Sequence, residues 1–168
     1  MDLARIMRHF AIGHMAIRRT FPAAALTAIE KAIQKSETGH EGEIRFAVEG
    51  ALGTLSLLKG QTGRERAVEV FSDLRVWDTE ENNGVLIYLL LADRNVEIVA
   101  DRGINTRVGN DEWESICRKM ENAFTGGEFE AGVIAGIEAI GEHLRKHFPE
   151  KREHGENELP DSPVILGE

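Results

Sequence analysis

The sequence predicts an α/β domain: a three-layer α/β/α sandwich around a small mixed sheet, with an additional helix at the N-terminus. Three observations carry this expectation. The wholly apolar run "VLIYLLL", Val85 to Leu91, has strand length and suits a strand covered on both faces. Through the polar "ADRN" it leads into "VEIVA", most simply as an antiparallel hairpin. Most other segments repeat their apolar residues at helical spacing, so helices outnumber strands and can cover the sheet on both sides.

The elements follow in order. Leu3, Ile6, Met7, Phe10 and Met15 fall at roughly helical spacing, with Arg5, Arg8 and Arg19 mostly off that stripe. Such a basic amphipathic helix has two open readings. It is a terminal helix packed on its own domain with solvated arginines, or a segment in peripheral contact with a membrane. In the second helix Thr20 can cap, Pro22 suits the first turn, Ala23 to Lys35 are good helix formers, and Gly39 ends it. "EIRFAVEGAL" alternates Ile44, Phe46 and Val48 against Arg45, Ala47 and Glu49, as a strand requires. "GRERAVEVFSDLRVWD" returns to helical period through Ala67, Val70, Phe71 and Leu74.

After the hairpin, Asn110 or Asp111 can cap "EWESICRKMENAF", and the last helix aligns Val133, Ile137, Ile140 and Leu144. Gly132 and Gly136 lie one turn apart within it; each costs about 1 kcal/mol of helix propensity against alanine, which close helix packing would explain. Beyond Pro149 the periodicity stops. Residues 1–149 therefore read as the domain, and 150–168 as an acidic, mobile tail.

Composition narrows the function. A net charge of −9 argues against a nucleic-acid partner, because phosphate neutralisation needs a basic face. Cys117 is the single cysteine, which excludes an internal disulfide and any multi-cysteine metal site; its place in a helix suits an inert core thiol. The opening residues lack the apolar run and cleavage site of a secretory signal, and no run approaches the roughly 18 residues that span a bilayer. The expected location is cytoplasmic, at most peripheral to the inner membrane. His9 and His14 near the start, and His143 and His147 on the last helix, read as exposed histidines without a metalloprotease pattern.

The chemistry-bearing residues bracket the hairpin. Asp78, Glu80, Glu81, Asn82 and Asn83 precede one strand, and Asp101 follows its partner. A hairpin sets one strand's start beside the other's finish, so these oxygens can share one sheet end. Hard oxygen donors there suit calcium or magnesium; the alternative is a solvated turn with left-handed asparagines. Gly84 and Gly103 suit sharp turns or close approach. The chain has no Asp-x-Asp, Cys-x5-Arg or Arg-His-Gly motif and no phosphate-loop spacing, so no nucleotide cofactor is evident. Phosphoryl transfer would need metal-assisted hydrolysis through Asp78, Asp101 and Glu128, with Arg102 steering phosphate.

The string "AVEVFSDLRVWDTEENNGVLIYLLLADRNVEIVADRGI", followed by "FTGGEFEAGVIAGIEAI", resembles the TPM domain, the family of the thylakoid acid phosphatase and of YgcG-type bacterial proteins. The matching motifs are Asn82-Asn83-Gly84-Val85-Leu86, Asp101-Arg102-Gly103-Ile104, and Gly127 to Gly132. Asn82 and Glu128 stand where the family often has aspartate. The resemblance, over roughly residues 40–148, implies calcium or magnesium at Asp78, Glu81, Asn82, Asn83, Asp101 and Glu128. It also implies LemA-type or TPM-type membrane proteins as partners. The function expected is a binding module in a membrane-associated assembly that takes a divalent cation. The alternative is a metal-assisted phosphatase acting on phosphate monoesters.

Overall fold

A computed structural model describes residues 2–12, 14–150 and 156–167, with the backbone alone for His14. The chain runs α1 (Leu3–Ala11), α2 (His14–Thr20), α3 (Ala23–Glu37), β1 (Glu43–Glu49), α4 (Thr54–Leu58) and α5 (Gly63–Asp73). It continues through β2 (Gly84–Leu90), β3 (Asn95–Ala100), α6 (Arg102–Asn105), α7 (Asn110–Thr125), α8 (Phe129–His147) and β4 (Val164–Leu166). The strands order β3-β2-β1-β4, with β2 and β3 antiparallel and β1 parallel to both β2 and β4. The expected hairpin is present: Leu90 pairs with Asn95, and Arg94 closes the turn at φ 50°.

Strand alternation divides the core into two layers. Ile44, Phe46, Val48, Val85, Ile87 and Leu89 face α3, α7 and α8, where Ile29, Ile33, Ile116, Met120, Ile137 and Ile140 meet them. Ala47, Leu86, Tyr88 and Leu90 face the other way, onto Ala67 and Val70 of α5 and Leu57 of α4. This is the three-layer α/β/α sandwich. Gly132 and Gly136 let α8 settle on α7: a Cβ at Gly132 would lie 2.8 Å from the Phe124 ring. Burial pushes the Cys117 thiol up to about 12, which disfavours the thiolate.

Five readings change. His9, read as an exposed histidine, is buried, because its ring meets Leu52 N and Asp93. The opening helix is two, α1 and α2. Pro22 rather than Thr20 stands at the N-cap of α3, and Gly109 precedes α7. β1 is not half-buried: all seven residues are buried, Arg45 and Glu49 included. Glu49 accepts from Arg66 of α5 at 2.9 Å and from the Tyr88 hydroxyl at 2.6 Å, so its charge is compensated where it is largely buried. Finally, the acidic segment expected to be a mobile tail supplies an edge strand. Val164–Leu166 extend the sheet beside Ala47–Glu49, and Leu159 enters the α5-side core. Three residues of strand carry too little periodicity to be read, and their stability comes from partners distant in sequence.

Candidate functional site

The hairpin's open end is built from four separate pieces of chain. Thr79 to Asn83 lead into β2; Asn82 takes φ 52°, a left-handed conformation that asparagine tolerates. Asn83 is wholly buried: its N–H donates to the Thr79 hydroxyl at 3.1 Å and its Nδ2 to the Glu41 carbonyl at 3.0 Å. Glu41 in turn donates its N–H to the Phe148 carbonyl, which ties the end of α8 to this rim. Opposite, Asp101 donates its N–H to the Gly84 carbonyl at 2.9 Å, and its Oδ1 caps α6 by accepting from Arg102 N at 2.7 Å.

Gly84 and Gly103 are used for close approach, and neither adopts positive φ. A Cβ on Gly84 would collide with the Val76 carbonyl oxygen, and one on Gly103 with the main-chain carbonyls of Glu81 and Asn82. The Glu81 and Asn82 oxygens are thereby pressed against the first turn of α6. Two side-chain oxygens at this rim, Asn83 Oδ1 and Asp101 Oδ2, are buried without a hydrogen-bond partner. Buried polar atoms are almost always satisfied by protein or water; among the described residues His40 Nδ1, Arg45 Nε, Gln61 Oε1 and Trp113 Nε1 likewise lack a hydrogen-bond partner.

The other anticipated residues are dispersed. Asp78 is half-exposed and pairs with Arg75 at 2.8 Å. Glu81 contributes its main-chain carbonyl beside Gly103. Arg102 is exposed at the first position of α6. Glu128 stands at the start of α8, whose far end joins this rim; nineteen residues of helix separate them by about 28 Å. Among the described residues, no three His, Cys, Asp or Glu side chains gather as metal ligands. Any cation here must therefore be held largely by amide and main-chain oxygens, as calcium accepts.

Beside the rim lies a buried acidic cluster that sequence patterning did not reveal. Glu43 accepts from the N–H groups of Glu158 and Leu159 at 3.0 and 3.3 Å, and Arg45 donates to the Pro160 carbonyl. Glu37 Oε1 accepts from Ile44 N at 2.8 Å. Burial, reinforced by Glu43, raises the Glu37 carboxyl to about 10, and burial raises Glu43 to about 7. The only sequence signal was a charged residue at alternate positions of β1, which reads equally well as a solvated face.

The protein is thus an α/β sandwich whose hairpin end carries main-chain and amide oxygens around two close-approach glycines. The sequence matches the TPM domain family over residues 18–143, and the chain belongs to that family. It is similar to the BA42 protein from the psychrophilic bacterium Bizionia argentinensis, at 33% identity with a TM-score of 0.75, covering 86% of this chain and 94% of that one. The N-terminal domain of a protein from P. gingivalis shares the fold at 16% identity and a TM-score of 0.62, covering 80% and 81%. No match is found among curated proteins. No helix among the described residues is long and apolar enough to cross a membrane.

Proposed function

We propose that this TPM domain is a binding module that takes a divalent cation, calcium ahead of magnesium, at the rim formed by Asn83 and Asp101. The observation that carries the reading is the pair of buried, unpartnered oxygens, Asn83 Oδ1 and Asp101 Oδ2. The Glu81 and Asn82 carbonyls packed at Gly103 supply neighbouring hard donors. Calcium suits a mixed set of carboxylate, amide and main-chain oxygens, whereas magnesium demands stricter octahedral geometry and retains water. A bound cation would satisfy both orphaned oxygens and hold the β2 entry to the α6 cap.

Ligand binding to the folded state alone stabilises it by about 2.7 kcal/mol at a hundred times Kd. Millimolar calcium should therefore raise the melting temperature by several degrees. Asp101→Asn keeps a competent helix cap but removes the charge, and should abolish most of that rise. Titration calorimetry without heat, together with an unchanged melting curve, overturns the reading. Phosphatase chemistry is the second reading, favoured by the exposed Arg102 beside Asp101. It requires metal-dependent turnover of p-nitrophenyl phosphate that both Asp101→Asn and Arg102→Ala remove.

A further inference from the structure

The first helix is docked the opposite way from an ordinary terminal helix. Its polar side faces the domain. Arg5 Nε and a terminal guanidinium nitrogen reach Asp93 at 2.9 and 2.8 Å, in the β2–β3 turn. His9, 3% exposed, lies between two partners: its Nδ1 accepts from Leu52 N at 3.0 Å, and its Nε2 lies 3.1 Å from Asp93 Oδ1. The neutral tautomer carrying its proton on Nε2 satisfies both contacts. Leu3, Met7 and Phe10, spaced four and three residues apart, consequently share the outer face, each between 62% and 67% exposed. Rolling this stripe inward would strip Asp93 of its partners and unseat a buried histidine.

Exposed apolar side chains also occur on the segments that neighbour α1 in sequence or in space. Of the eight exposed large apolar side chains among the described residues, six are Leu3, Met7, Phe10, Met15, Leu55 and Leu58. α1 and α4 are neighbours, because the His9 ring binds Leu52, just before α4 begins. The charge of these segments opposes that of the rest of the chain. Residues 2–20 and 54–60 hold Arg5, Arg8, Arg18, Arg19 and Lys59 against the single anion Asp2, in a chain of net charge −9. Arg8, Arg19 and Lys59 are exposed. Apolar side chains flanked by cations, on a surface otherwise acidic, match an anionic bilayer: acyl chains take the Leu, Met and Phe side chains while headgroups meet the cations.

We propose that α1, α2 and α4 form a face by which this domain docks on anionic membranes, independently of cation binding at the opposite end of the sheet. The test is co-sedimentation of the full chain with extruded vesicles, in chelator so that calcium cannot bridge protein and lipid. Vesicles containing phosphatidylglycerol should pellet the protein, and those of pure phosphatidylcholine should pellet much less. Binding should weaken as salt rises, since exposed charges are screened over about 8 Å at physiological ionic strength. Met7→Glu and Phe10→Glu, both at exposed positions, should leave the melting temperature unchanged and lower vesicle affinity about tenfold or more. Failure to pellet with phosphatidylglycerol, equal binding to both lipids, or binding indifferent to both substitutions overturns the proposal. So does self-association that Phe10→Glu abolishes without any vesicle binding, which would make the face an interface between copies.

Discussion

The two ends of the sheet solve the problem of buried polar groups in opposite ways. At the Asp93 end, one carboxylate accepts from Arg5 and His9, and its opposite charges are close by. Burial works against the Asp93 carboxylate, yet these partners hold it below the ordinary carboxylate range. At the Gly84 end, acidic groups crowd one another. Glu37 and Glu43 are raised by burial, and Glu37 further by Glu43, while Asn83 Oδ1 and Asp101 Oδ2 lack partners. One end is a closed latch that leaves its apolar side outward. The other holds oxygen in excess, which is why it is the better candidate for a cation. Electrostatic sign separates a structural clasp from a ligand site more clearly than residue type does, since both ends are rich in charged and amide residues.

Three experiments probe this contrast. The largest effect is expected from Gly103→Ala. Its Cβ has nowhere to go, because the obstacles are the main-chain carbonyls of Glu81 and Asn82, not side chains that can turn aside. A loss of about 3 kcal/mol is expected, a fall near 10 °C in melting temperature. A melting curve like the parent's would show the rim to be pliable and remove the argument for a preformed site.

Asp93→Ala comes next. It leaves His9 and the partly buried Arg5 without their acceptor, at about 1–2 kcal/mol. Its distinguishing mark is regional: hydrogen exchange should rise in α1 and α2, while any calcium-induced thermal shift remains. Coupled loss of both would show that the ends are not independent.

The smallest effect is the pH slope, which has opposite sign at the two ends. Glu37 and Glu43 have folded values raised above 4.5, so their contribution is full below that value. It is lost as pH rises, through about 7 for Glu43 and on toward 10 for Glu37. Asp93 has a lowered value, so its contribution is present above 3.8 and lost only as pH falls through its folded value. Melting temperature should therefore decline from pH 5 toward pH 9. Glu37→Gln, which keeps an acceptor for Ile44 N without an ionisable group, should flatten that decline. An equally steep slope in the variant would place the titrating group elsewhere.

Much of the architecture was legible because the periods are strong. The apolar run Val85–Leu91 suggested a covered strand, observed as Gly84–Leu90, "ADRN" a short connection, and the glycine pair of α8 close helix packing. The chain alone thus determined the sandwich and the β2–β3 hairpin, whose antiparallel pairing sets Asp101 beside Gly84. Tertiary structure decided the rest. Whether Arg45 and Glu49 lie in water or under cover depended on α5 and on residues 156–166, far along the chain. Glu128, similar to the rim residues in chemistry, was removed from them by the length of α8. Above all, the stripe of α1 specifies only that one side of that helix is apolar. Which side faces the domain was set by Asp93 and Leu52, because a partly buried carboxylate and a buried N–H must find partners, and here they found Arg5 and His9.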